Sequence, residues 1–352
     1  METLPETLPI KVKEWRPIAT IKDVAKKLGV SVSTVSRAMN NHPDIRSETK
    51  QEVLEAMKEL NYTPNAVARS LIQRKSFTIG LMLPDITDPF LSSMAQGIEE
   101  IISDNGYHLV YGNTSRIREK EESFLLSAAQ RKMDGLIITS DYMDEEMMQL
   151  LRNLEIPIVF LRRRPPAELD MPFVDVDHYQ GACRALEYLL SLNHRHIGFI
   201  GMPDFSYTGR ERYRAFCDTM KKNGIHVAEE ATIFGERSYK SGYESMQQLA
   251  SSYPEMTAVF AANDILAIGA LEWLSEKQIS VPGQMSIVGF DNLEVSNLHW
   301  IKLTTVAQPR KEMGMKAAEL LMTMVQEKGS KPSSILFDTE LIIRRTCAPV
   351  NL

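Results

Sequence analysis

The sequence predicts an α/β protein: an N-terminal all-α helix-turn-helix head, then two doubly wound lobes of parallel sheet. Three observations predict it. Between residues 20 and 60, apolar residues recur at helical spacing in three short segments. From Phe77 onward, short apolar runs alternate with amphipathic stretches, the pattern of buried parallel strands joined by helices. The alternation comes in two series. FTIGLMLP, HLVYGN, DGLIITS and IPIVFL form the first; HIGFIGMP, ATIFGE, TAVFAAN and MSIVGFDN form the second. Two such lobes leave a cleft at the carboxyl ends of their strands.

The head is read from residues 20–40, TIKDVAKKLGVSVSTVSRAMN. Ile21, Val24, Ala25 and Leu28 make one apolar stripe, and Gly29 breaks the helix. Ser31 can cap a second helix from Val32 to Met39 by accepting a bond from a free first-turn N–H. Val35, Ala38 and Met39 can face inward, which leaves Val32, Ser33, Ser36 and Arg37 outside. Two short helices around a glycine turn form a helix-turn-helix, whose second helix fits the DNA major groove. Small polar side chains allow close approach, and Arg37 can fork onto a guanine. Thr20, Thr34 and Asn40 flank this surface as further DNA candidates. The competing reading is a hairpin that only packs.

Residues 47–60, SETKQEVLEAMKEL, predict a third helix capped by Ser47, with Val53, Leu54, Met57 and Leu60 inward. It closes a small core, and Arg46, Ser47 and Tyr62 are candidates for holding phosphates. Pro64 then stops the helix, and Asn65 can cap a short one from Ala66 to Ile72. Ala66, Ala68 and Ser70 are small enough to let this helix approach a symmetry mate.

Charge distribution supports the division. The net charge is −6, yet residues 18–75 carry ten Lys/Arg against six Asp/Glu, a balance of +4. Residues 76–352 carry 27 against 37, a balance of −10. A basic module on an acidic body suits phosphate contact by the module alone. No apolar run approaches about eighteen residues, so no membrane span is expected. Residues 1–17 hold prolines and charges where a signal peptide needs an apolar core, so they are read as a flexible arm and the protein as cytoplasmic. Lys11, Lys13 and Arg16 are the alternative phosphate contacts there. Cys183, Cys217 and Cys347 lack metal-ligand spacing and read as free thiols. No Gly-rich dinucleotide fingerprint, phosphate loop, nucleophile elbow or metal cluster occurs, so neither a cofactor nor catalysis is expected. His194 and His196 beside Arg195 read as a structural turn.

TIKDVAKKLGVSVSTVSRAMNN followed by LNYTPNAVARSL resembles the lactose-repressor/galactose-repressor family of bacterial transcriptional regulators. The resemblance extends over nearly the whole chain after residue 18. It implies a head at 18–63, a hinge helix and linker at 64–76, and an effector-binding and dimerisation body at 77–352. In the family the hinge helix forms only on operator DNA, lies in the minor groove and pushes a leucine between base pairs. Leu71 matches that leucine, with Asn65, Ala68 and Arg69 beside it; packing of Leu71 on the body is the alternative. The body resembles the family's effector domain, which shares its fold with periplasmic sugar-binding proteins. A secreted binding protein is therefore the competitor, and the attached head counts against it.

The resemblance also points to ligand contacts on the strand-end turns. Asp88 and Phe90 lie on the first loop, Arg212 on a helix, Asn263 in the AND turn and Asp291 in the GFDN turn. Thr208 and Gln308 join them. An Arg–Asp pair with an asparagine offers both donors and acceptors to vicinal hydroxyls. The bland reading is that Asp264 and Asp291 only cap helices and brace turns. Two positions depart from the family pattern: Arg162-Arg163-Arg164 stand where Asp-Arg is common, and Arg237 stands where an aromatic is frequent. The expectation is a regulator of the repressor type that binds a pseudopalindromic operator as a homodimer and answers to a sugar or an anionic sugar derivative. Control by a partner protein is the alternative. Arg162 pairing with Asp88 or Asp291, and Arg310 bracing its turn, are the bland readings of the extra arginines. The family's tetramerising tail has no match here, which favours a dimer.

Overall fold

The structure, a computed structural model, describes residues 19–40, 42–62, 75–327 and 329–350. Its residues form two compact units that divide at Lys75.

The first unit holds α1 (Ile21–Leu28), α2 (Val32–Met39) and α3 (Ser47–Glu59). Thr20 donates from its N and Oγ1 to Asp23 Oδ2 at 2.8 and 2.7 Å, closing the first turn of α1. Gly29 takes φ 65°, a left-handed conformation that costs glycine little and turns the chain into α2. Ser31 Oγ accepts from Thr34 N at 3.1 Å, as its capping role requires. Val24, Ala25, Val35, Ala38, Val53 and Ala56 make the core. Two expectations for α3 need correction. The cap position is Arg46, without a side-chain bond, and Ser47 already lies in the helix. Leu54 is 42% exposed, because the small core is filled by Val53 and Ala56. The arm 1–17 and the hinge candidates Asn65, Ala68, Arg69 and Leu71 lie outside the described residues.

The second unit holds two six-stranded sheets. The first contains β1 (Thr78–Leu83), β2 (His108–Asn113), β3 (Gly135–Ile138), β4 (Ile158–Leu161), β5 (Phe173–Val176) and β11 (Ile335–Phe337). Their order is β11-β5-β4-β3-β1-β2, all parallel. The second contains β6 (Ile197–Gly201), β7 (Thr232–Phe234), β8 (Ala258–Ala261), β9 (Ser286–Asp291), β10 (Thr304–Ala307) and β12 (Glu340–Ile342). Their order is β12-β10-β9-β8-β6-β7, with only β12 antiparallel.

The eight expected strands are joined by β5, β10, β11 and β12. LIIRRT is strand-like in sequence and contributes to β12. TTVAQPR, whose Gln308 is a ligand candidate, supplies β10 from its first four residues. Its polar start hides the strand: Thr304 and Thr305 are buried and satisfied by hydrogen bonds to Arg344 N and Asp264. In β5 the buried Asp175 breaks the apolar run.

In the first lobe α4 (Pro89–Asp104) packs against α11 (Arg310–Gln326). The helices approach closely at Gly314, where a Cβ would stand 2.1 Å from Met94 O. The chain passes between lobes three times: from β5 into α7 (His178–Ser191), from β10 into α11, and from β11 to β12.

Candidate operator surface and interlobe site

On α2, Val32, Ser33 and Arg37 are exposed, while Thr34 and Ser36 are half-buried. The periodicity that buries Val35 and Ala38 turns these residues outward. Ser31 Oγ lies 2.7 Å from Ser33 Oγ and 2.8 Å from Thr34 Oγ1, so the hydroxyls form a local network at the start of the helix. Asn40 Nδ2 donates to Ser36 O at 2.8 Å at its end. Thr20 is exposed, and Tyr62 is half-buried against the core, where burial raises its phenol.

In the second unit the predicted residues of both lobes converge on one cleft. Asp88 caps α4, its Oδ1 accepting from Phe90 N at 2.9 Å. Asn263 caps α10 (Asp264–Glu276), its Oδ1 accepting from Leu266 N at 2.9 Å. Arg212 sits in the second turn of α8 (Tyr207–Lys222) and is 2% exposed. Its guanidinium lies 3.7 Å from the centroid of the Phe290 ring, and its Nη1 donates to Ala262 O. Arg237, on the loop after β7, binds both lobes. Its Nη2 donates to Asp291 Oδ2 at 2.7 Å, and its Nη1 stands 3.2 Å from Asp88 Oδ2.

Asp291 is the hub of the second-lobe wall. Besides Arg237, its Oδ1 accepts from Gln308 Nε2 at 2.7 Å and from Arg212 Nη2 at 3.4 Å. Its φ of 121° is unusual for a residue with a side chain, and the dense bonding holds it there. Burial lowers Arg212 to about 10 despite the Asp291 charge. For Arg237, burial also lowers the value, but Asp88 and Asp291 outweigh it and the net direction is up.

The first-lobe wall is different. Arg162, at the end of β4, is 8% exposed and has φ 65°. Its Nη2 lies 3.4 Å from Thr208 Oγ1 across the cleft. Its guanidinium lies 5.2 Å from the Phe90 ring centroid, and those of Arg237 and Arg310 lie 5.6 and 5.9 Å from the same ring. Burial lowers Arg162, and the neighbouring Arg237 lowers it further. Among the described residues it makes no ion pair; Arg237, not Arg162, takes Asp88 and Asp291. Arg163 is also buried, donating to Ser140 O and Asp141 O at 3.0 and 2.8 Å. Arg164 is more exposed, 3.8 Å from Asp177. Arg310 donates to Asn292 O at 3.1 Å, as a brace would.

The site contains a pair the sequence reading missed. His178, at the first crossover, has Nε2 3.0 Å from Asp175 Oδ1 and Nδ1 3.2 Å from Arg212 Nη2. Burial lowers its pKa. The neutral tautomer with hydrogen on Nε2 satisfies both contacts, since arginine only donates. VDVDH carries no motif that would mark this role.

Among the described residues several buried polar atoms have no hydrogen-bond partner: Asn263 Nδ2, Gln308 Oε1 and the Nε atoms of Arg212 and Arg237. Native interiors seldom leave such groups unmatched. Together they offer donors and acceptors to a polyhydroxylated molecule. Among the described residues, no cluster of His, Cys, Asp or Glu is placed to hold a metal, and no helix is long and apolar enough to cross a membrane.

Residues 20–65 match the family described as bacterial regulatory proteins, lacI family, and residues 186–347 match a periplasmic binding protein-like domain. The chain is 33% identical over 336 residues to the transcriptional repressor CytR of Escherichia coli K12, covering 95% of this chain and 98% of that protein. The chain belongs to the lacI family. It is a helix-turn-helix DNA-binding transcriptional regulator and not an enzyme. A second lacI-family relative is the repressor PurR of Mannheimia succiniciproducens, 33% identical over 94% of this chain and 98% of that protein. A lac repressor dimer bound to operator and the anti-inducer ONPF matches with a TM-score of 0.84 at 27% identity, covering 94% of this chain and 100% of that one. A CelR–cellobiose complex matches at 0.71 and 28% identity, covering 94% of this chain and 100% of that one.

Proposed function

We propose that the protein is a ligand-responsive repressor of carbohydrate-metabolism genes. It works in the cytoplasm as a homodimer on a pseudopalindromic operator. The observation that carries this reading is Arg237, which ties Asp88 of one lobe to Asp291 of the other inside a buried polar cleft. A small effector that takes over bonds from this bridge changes the angle between the lobes. Asn263, Arg212, Asp291 and Gln308 bind its hydroxyls, with Asp88, Phe90, Arg162, Thr208 and Arg237 closing over it. The operator-bound lac repressor dimer and the cellobiose complex support the partner classes by analogy.

On DNA, Val32, Ser33 and Arg37 read bases, with Thr34 and Ser36 lining the helix. Thr20, Ser31, Asn40 and Tyr62 hold the backbone. The segment 64–76 is the hinge: Asn65, Ala68 and Arg69 enter the minor groove, and Leu71 wedges a base step open. Lobe movement alters the spacing of the paired hinges. The coupling is reciprocal, so an effector that weakens operator binding is itself bound more weakly by the operator complex.

The test is binding-site selection from random DNA, followed by operator titration with and without sugars and sugar acids. Selection should return a two-fold repeat. Arg37→Ala should lose about 1–3 kcal/mol of discrimination at one base pair of each half-site. A single unrepeated site, or an unchanged motif in Arg37→Ala, refutes the corresponding part of the reading. Failure of every compound to shift operator affinity, with the protein folded, refutes effector control by this chemical class.

A further inference from the structure

We infer that the effector is a polyhydroxylated anion and that Arg162 takes its carboxylate or phosphate. This rests on the cleft being the effector site and adds the ligand's charge to it. The distribution of counter-charges carries the argument. Arg212 and Arg237 share Asp291, and Arg237 also has Asp88. Arg162 is as secluded as they are, yet among the described residues it makes no ion pair. Its protein contacts are a 3.4 Å bond to the Thr208 hydroxyl and the face of the Phe90 ring. Neither replaces the hydration that a guanidinium loses on burial; Asp141, Asp88 and Asp291 favour its charge from a distance, but burial and the like charge of Arg237 outweigh them.

Beside Arg162, at the ends of β1, β3 and β4, lies a void of about 10 Å³ lined by Pro84, Thr139, Ser140, Asp141 and Leu161, room for no more than a water, so the effector's anionic group reaches Arg162 only as the lobes part. Asp141, the carboxylate on that wall, is 3.5 Å from Arg116. The backbone of Arg162 is also held in a left-handed conformation, φ 65°. Strain at a side-chain-bearing residue persists where surroundings over-determine it, which happens most often at ligand sites. A guanidinium presents two parallel N–H donors, which match a carboxylate or phosphate. The unpartnered Asn263 Nδ2 and Gln308 Oε1, on side chains 0% and 6% exposed, supply a donor and an acceptor for hydroxyls of the same molecule.

The experiment uses the full chain in two arms. In the first, melting is followed in inorganic phosphate against chloride at matched ionic strength. Wild type and the surface control Lys222→Gln should show a saturable rise of a few degrees. Arg162→Gln should lose at least half of it, and Arg162→Lys should keep more than Arg162→Gln. In the second arm, calorimetry compares glucose, glucuronate and glucose 6-phosphate, and the matching galactose series. An anionic member should bind at least tenfold tighter than its neutral parent, with the preference lost in Arg162→Gln. Absence of a saturable phosphate effect overturns the proposal. So does equal or tighter binding of a neutral hexose that Arg162→Gln leaves unchanged. In that case the cleft reading survives if Asp291→Asn abolishes hexose binding, and fails with the proposal if it does not.

Discussion

The two walls of the cleft handle buried arginine in opposite ways. On the second-lobe wall Asp291 gathers Arg212, Arg237 and Gln308 into one network. On the first-lobe wall Arg162 and Arg163 are buried against a hydroxyl, a ring face and backbone carbonyls, with no ion pair among the described residues. A cross-linked wall holds its geometry without help. A wall whose buried guanidinium groups make no ion pair is less fully compensated. Under the proposed function, the contrast separates residues that would position a ligand from residues that would select it.

The comparison breaks most visibly at Asp291. Asp291→Ala leaves two buried guanidinium groups without their shared acceptor and should destabilise the fold by about 3–5 kcal/mol in urea unfolding. Arg237→Met should cost less, about 2–3 kcal/mol, because Asp291 keeps Arg212 and Gln308. It also removes the tie between lobes, so effector-free protein should become more sensitive to proteolysis.

A pH titration sharpens the contrast, since each wall is backed by a buried carboxyl. Behind the first, burial pushes Glu121 up to about 7, against the pull of its Ser140 bond and Arg163. Behind the second, burial and the Asp291 charge push Asp264 up to about 7. Both folded values lie above those of an exposed carboxyl. The stability they contribute is therefore full below about pH 4 and is lost as pH rises through about 7. Each group limits the slope to about 1.4 kcal/mol per pH unit. Between pH 5 and 7 this loss is opposed by His178 and His194, whose values burial lowers and which therefore add stability as pH rises. The check is the difference in unfolding free energy between wild type and Glu121→Gln, which should change with pH over that window; a difference independent of pH contradicts the assignment. The smallest effect is expected at Arg162: Arg162→Met should stay within about 1 kcal/mol of wild type without effector, or exceed it.

How legible these features are in sequence follows from how far apart their parts lie. The head is local: its stripe, glycine turn and cap all fall within twenty residues, so α1 and α2 read directly. The α3 cap was misplaced by one residue because serine is favoured both at a cap and in a first turn. The strand series showed two lobes, but Asp175 breaks the apolar run of β5 and β10 begins with two polar residues. Individual cleft residues were visible on strand-end turns. Their pairing was not, because Asp88, Arg237 and Asp291 come from three distant segments and only the folded lobes bring them together. His178 was missed in part for the same reason: Asp175 is three residues away, but Arg212, which sets its role in the cleft, comes from a separate helix.

The three crossovers have a consequence for how the chain is made. The first lobe is built from the early sequence, yet Met313, Ala317, Leu321 and Met322 of α11 fill its core, and β11 is one of its edges. While the ribosome produces the roughly 150 residues between β5 and the end of α11, that lobe lacks its last helix. At about 5–20 residues per second the interval is roughly 8–30 seconds. During it Ile79, Leu81, Ile98 and Val159 wait without their final covering. A nascent chain stalled before Arg310 should therefore hold a sticky, protease-sensitive first lobe and be a natural client for chaperones.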